Sequence, residues 1–133
     1  MMWRNRRDEL LNNAVESFKK ALEYDSNNPD AYNNLGEIYR MQGNLQEAER
    51  AFDEAIKRDS RFSEAVSNKG TILKAQGRLE DAISHYEQAI KLNSKNYKAH
   101  YLLGEALACD DGVGCTADTC DPLAGCVYTP EDS

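Results

Sequence analysis

Four cysteines, Cys109, Cys115, Cys120 and Cys126, fall within the last 25 residues of a 133-residue chain, and none precedes them. Thiols can close disulfides, hold a soft metal, or attack as thiolates. The gaps between these four, of five, four and five residues, lack the tight Cys-x2-Cys knuckle that structural zinc sites favour. Asp110, Asp111, Asp118 and Asp121 offer the carboxylates that a hard cation needs, yet their spacing fits no EF-hand loop. The segment is too short and too poor in apolar residues to build a core, so it needs covalent staples. Two disulfides are expected, in any of three pairings, with no metal and no cofactor.

The chain has two histidines, His85 and His100, and both read as packing or surface groups. No nucleophile–base pair and no glycine-rich phosphate loop is evident, so the chain is expected not to be an enzyme. Net charge is −7 and comes from the tail. Residues 109–133 hold six acids and no Lys or Arg, while the other 108 residues carry 16 bases and 17 acids. A chain without a long basic stripe lacks the groups that neutralise phosphates, which argues against nucleic acid as a partner. No run approaches the roughly 18 apolar residues of a membrane span. The N-terminus is basic at Arg4, Arg6 and Arg7, but no apolar stretch follows to make a signal peptide.

The elements that position these residues repeat every 34 residues. Gly36, Gly70 and Gly104 keep this period, as do Ala14, Ala48 and Ala82, then Phe18, Phe52 and Tyr86, then Ala21, Ala55 and Ala89. Leu11, Leu45 and Leu79, and Leu22, Ile56 and Ile90, stay in step, as do Gly43 with Gly77 and Ser26 with Ser60 and Ser94. Each period divides into two amphipathic helices, one carrying Ala31, Leu35, Ile38 and Tyr39, the other Leu45, Ala48, Phe52, Ala55 and Ile56. Gly43 and Gly77 stop the first helix of a pair.

The pattern Tyr32-x2-Leu35-Gly36-x2-Tyr39 followed by Ala48-x3-Phe52-x2-Ala55 resembles the tetratricopeptide repeat family, over about residues 8–108. Ser26, Ser60 and Ser94 stand where that family favours Pro, and Lys69 replaces its usual Leu. The resemblance implies an all-α solenoid of helical hairpins, lettered A and B, which binds protein surfaces. Residues 8–26 form a half repeat of B type, 29–60 and 63–94 form two full repeats, and 97–108 form a half repeat of A type. The order is B–AB–AB–A, with residues 109–133 as a cysteine-rich acidic tail.

An unpaired helix at each end leaves an apolar face open, and no polar cap is visible. Leu10, Leu11, Ala14, Phe18 and Leu22 stand at one end, and Tyr101, Leu102, Leu103 and Leu107 at the other. The two half repeats are complementary, so copies are expected to stack head to tail into a filament, with a ring as the closed form. A charged residue in place of Phe18 or Leu103 is expected to abolish that assembly. A dimer that covers the open ends, or a monomer, is the alternative.

Family resemblance also implies a groove lined by Asn33, Glu37, Arg40, Ser67, Thr71, Lys74, Lys98, Tyr101 and Glu105, able to hold a partner peptide. The carboxylate-clamp members of that family use a Lys and two Asn there. In this chain Asn33 stands at the Lys position and Glu37 at one Asn position, leaving Asn68 alone in agreement. The tail pattern CDDGxxCTxDxCDxxxGC resembles the cysteine-rich repeats of slime-mould extracellular matrix proteins. That likeness implies disulfides and an extracellular or cell-surface location.

Overall fold

The computed structural model describes the backbone of residues 6–111 and the side chains of residues 6–108. The expected disulfides of Cys109, Cys115, Cys120 and Cys126, and the tail as a unit, lie outside these described residues. Six helices follow one another: α1 (Arg6–Tyr24), α2 (Pro29–Met41), α3 (Leu45–Arg58), α4 (Ser63–Ala75), α5 (Leu79–Leu92) and α6 (Tyr97–Asp111). No strand occurs among the described residues. The architecture is an all-helical solenoid in which α1 is a B helix, α2/α3 and α4/α5 are AB hairpins, and α6 is an A helix.

Local chemistry sets the helix ends. Asn28 caps α2, its Oδ1 accepting from the Ala31 amide at 3.2 Å, and Pro29 opens the helix where no amide is missed. Asn96 does the same for α6 through the Ala99 amide at 3.0 Å. Gly43 and Gly77 close the A helices at φ of +82° and +85°, angles that side-chain-bearing residues resist. There the amides of Asn44 and Arg78 return to the carbonyls of Tyr39 and Leu73, the bond that ends a helix sharply. At the other turn Asp25, Asp59 and Asn93, also 34 apart, each accept from the backbone amide two residues on, at 3.0–3.2 Å. These side-chain turns hold the B-to-A linkers where Ser26, Ser60 and Ser94 replace Pro.

Each A helix packs on its own B helix, and successive A helices also touch, α2 on α4 and α4 on α6, whereas α1, α3 and α5 do not touch one another. The A helices therefore line the inner, concave side. Inside a hairpin the contact is tight. A Cβ at Gly36 would stand 2.6–2.8 Å from the Phe52 ring, and one at Gly70 would stand 2.8 Å from the Tyr86 ring. Both rings are fully buried, flanked by the equally buried Ala48 and Ala55 or Ala82 and Ala89. Burying such a ring contributes about 1.5–3 kcal/mol. Lys69, the charged residue in an apolar register, is satisfied by Asp53 of α3 at 2.6 Å.

The third glycine of the series differs: no described heavy atom lies within 4 Å of a Gly104 Cβ position. Gly36→Ala should therefore destabilise the chain by about 1–3 kcal/mol through overpacking. Gly104→Ala should stabilise a monomeric chain by about 0.5–1 kcal/mol, because alanine is the better helix former. Thermal or urea melts of the two variants at monomeric concentration check this difference in sign.

Candidate functional site

Two surfaces can recognise another polypeptide, the concave face and the exposed faces of the terminal helices. On the concave face, residues from three A helices form one hydrogen-bonded track. Asn68 on α4 donates its amide to Asn33 Oδ1 on α2 at 3.0 Å, and Lys98 Nζ on α6 donates to Asn68 Oδ1 at 3.0 Å. The same ammonium lies 3.6 Å from Glu37 Oε2. The other Glu37 oxygen accepts from Arg40 Nη2 at 2.8 Å and Nε at 3.2 Å. Glu37 is thus held between two cations, and the track runs unbroken from α2 to α6.

The remaining groove residues are placed less openly than an exposed lining would be. Ser67 is buried with its hydroxyl on the Glu64 carbonyl, and Thr71 bonds the Ser67 carbonyl at 3.4 Å and the Tyr86 hydroxyl at 3.2 Å. Lys74 is only 8% exposed. Tyr101 remains open at 58% exposure, with its phenol hydrogen-bonded to Glu105 and its pKa raised above 10 by that carboxylate. Desolvation likewise pushes the Tyr86 phenol up, opposed by its bond to Thr71.

At the ends, Leu10 is 50% exposed and Leu107 42% exposed, so both offer apolar surface to a neighbour. Leu11 is buried instead, and Phe18 and Leu22 are half-buried against Val15, Leu35 and Ala51. Leu102 and Leu103 pack back on the Leu73–Tyr86–Ala106 cluster, because an A helix must also cover the preceding hairpin. A charge at Leu103 would unseat α6 as well as any partner. Ala14 is half-buried and Ala21 exposed. Both histidines are exposed, each on a backbone carbonyl: His85 Nδ1 lies 2.9 Å from Asp81 O and His100 Nε2 lies 3.0 Å from Ser94 O.

A profile described as the TPR repeat matches residues 11–43 and 70–108, and a tetratricopeptide repeat profile matches residues 29–62. The chain belongs to the tetratricopeptide repeat family. Among solved structures, this TPR chain resembles the first TPR of Spaghetti (RPAP3) bound to the HSP90 peptide SRMEEVD. The TM-score is 0.72 at 22% identity, covering 79% of this chain and 83% of that one. It also resembles the Arabidopsis OM64 TPR domain, with TM-score 0.71, 21% identity and coverage of 76% and 84%. Both likenesses establish the fold. A MamA structure is 30% identical with TM-score 0.66 over 73% of this chain, which spans 53% of that protein. Against curated protein sequences the TPR chain finds no significant match. Repeats of this family serve protein–protein interaction. Among the described residues, no helix is long and apolar enough to cross a membrane.

Stability of the TPR chain should fall as pH rises past about 10. The unfolded Tyr86 phenol gives up its proton there, while the folded one retains it to higher pH. The stability due to this group is complete below pH 10 and is lost as pH climbs through the raised folded value. Tyr86→Phe should reduce that alkaline loss and cost about 0.5–1.5 kcal/mol at neutral pH, by removing the bond to Thr71. Urea melts at pH 7 to 11 on both proteins measure this.

Proposed function

We propose that the chain is a protein-interaction solenoid whose concave face holds an extended segment of a partner protein. The observation that supports this best is the track from Asn33 through Asn68 to Lys98, which crosses three A helices on the inner face. An extended backbone presents a C=O and an N–H at every residue. Lys98 has three donors, of which two are directed at Asn68 and Glu37, and its side chain is 47% exposed. The third can meet a peptide carbonyl, and the exposed Tyr101 ring beside it can cover an apolar side chain. Glu37 already faces Lys98, so the groove favours an internal peptide segment over a free carboxyl terminus. Similarity to a TPR solved with a bound peptide is consistent with this use of the face.

Panning a displayed library of random dodecapeptides against the full chain tests this reading. Selected peptides should bind with affinity reduced about tenfold by Lys98→Ala or Asn68→Ala, the loss of one charge-assisted bond or its support. Selection of nothing above background, or binding indifferent to both substitutions, would remove the concave face as the site.

A second reading is favoured by the exposure at the two ends. Ala14, Phe18 and Ala21 on α1 are only partly covered, whereas their counterparts on α3 and α5 are fully buried. On this reading, copies stack head to tail into a filament, through a joint of roughly 1,200–2,000 Å² in total. An extracellular setting suits it, on the strength of the tail's likeness to secreted cysteine-rich repeats. Electron microscopy of the purified chain under non-reducing conditions should then show long fibres with a repeat of three TPR units. Uniform small particles alone would sink it.

A further inference from the structure

We propose that α1 of one copy seats on α6 of the next as α3 sits on α2 and α5 on α4, with Phe18 of one copy packed over Gly104 of the other. This rests on the self-association reading above and names its contact.

The joint already occurs twice within the chain. At Gly36 and Gly70 the absence of a Cβ is what lets Phe52 and Tyr86 lie on the helix backbone. Ala48 and Ala55, or Ala82 and Ala89, flank each ring at full burial. The third glycine, Gly104, is exposed, and no described heavy atom lies within 4 Å of its Cβ position. The third Ala–aromatic–Ala set is Ala14, Phe18 and Ala21, at the opposite end, with Ala21 exposed and the other two half-buried. Each end carries one half of a joint whose complete form the chain displays twice.

The chain's own continuation does not carry the missing half in register. In both internal joints the aromatic follows its glycine by 16 residues, with alanines at offsets of 12 and 19. The same offsets from Gly104 reach Cys120, Thr116 and Leu123. Only the N-terminal helix of another copy presents the pattern that Gly36 and Gly70 accept. Because the contact joins unlike ends, it leaves one free half at each extremity of a pair and propagates, as an open helix or a closed ring. It would also cover Leu10 and Leu107, the exposed apolar side chains beside the two halves.

Two variants test the assignment, Ala21→Lys on the α1 half and Gly104→Lys on the α6 half. Both positions are exposed, so neither should disturb the monomer, which thermal melts verify. In analytical ultracentrifugation the unmodified chain should grow in mass with concentration, and each variant alone should stay monomeric. A 1:1 mixture should form dimers and nothing larger, since Ala21→Lys keeps a working α6 and Gly104→Lys a working α1. If the unmodified chain and Gly104→Lys assemble alike, the Phe18–Gly104 contact is wrong while self-association stands. If only Ala21→Lys loses assembly, like ends pair across a two-fold axis and the proposal falls. A monomeric unmodified chain would defeat the self-association reading itself. A lowered melting temperature for Gly104→Lys in a chain that stays monomeric would place the chain's own tail on α6 and equally overturn the proposal.

Discussion

An aromatic ring can lie flat on a helix only where no Cβ intervenes, and this solenoid is organised around that fact. Phe52 over Gly36 and Tyr86 over Gly70 bring the two helices of each hairpin closer than any other residue pair would permit. The small Ala48, Ala55, Ala82 and Ala89 then follow of necessity, because the same close approach leaves no room beside the ring. Hairpins formed this way still have a second apolar flank. Leu73, Leu79 and Ile83 receive Leu102 and Leu103 from the next helix, so each unit is finished only by its neighbour.

Polar residues then fill what the apolar contacts leave. Asn68 is buried, and its amide is fully engaged by Asn33 on one side and Lys98 on the other. Ser63 accepts from Asn96 at 2.7 Å and donates to the Ala89 carbonyl at 2.8 Å, joining α4, α5 and the start of α6. Arg58 donates to the Ser26 carbonyl at 2.9 Å and lies 4.5 Å over the Tyr32 ring, fastening the first linker to α3. Buried polar groups of this kind contribute little net energy when satisfied but penalise any other register. They fix how one hairpin sits on the next, and so set the concave face on which the Asn33–Asn68–Lys98 track is laid.

Much of this was legible from periodicity alone. The 34-residue step placed every helix, and the Gly–aromatic–Ala registers identified the tight joints, because close packing restricts residue type severely. The concave track was legible only as a set of positions. That Asn33 and Asn68 bond to each other, or that Glu37 is shared by Arg40 and Lys98, depends on side-chain reach across hairpins, which no spacing rule encodes. Leu103 misleads for a related reason. An A helix has two apolar stripes about a quarter-turn or more apart, and its pattern does not say which one meets the preceding hairpin. Lys69 looked like a flaw in the repeat and is an ion pair with Asp53, invisible until α3 and α4 are set side by side.

The contacts between helices never reach beyond the next A helix: α2 meets α4 and α4 meets α6, with nothing longer. Every tertiary contact therefore closes a loop of roughly one repeat period, and the average sequence separation of contacting residues stays low. Chains with such local wiring pay loop-closure entropy in small steps and fold fast for their size. Growth from any nucleated hairpin can proceed in both directions, one neighbour at a time. The same wiring makes cooperativity a matter of nearest neighbours. The central hairpins, supported on two sides, should outlast the outermost helices when the chain opens locally.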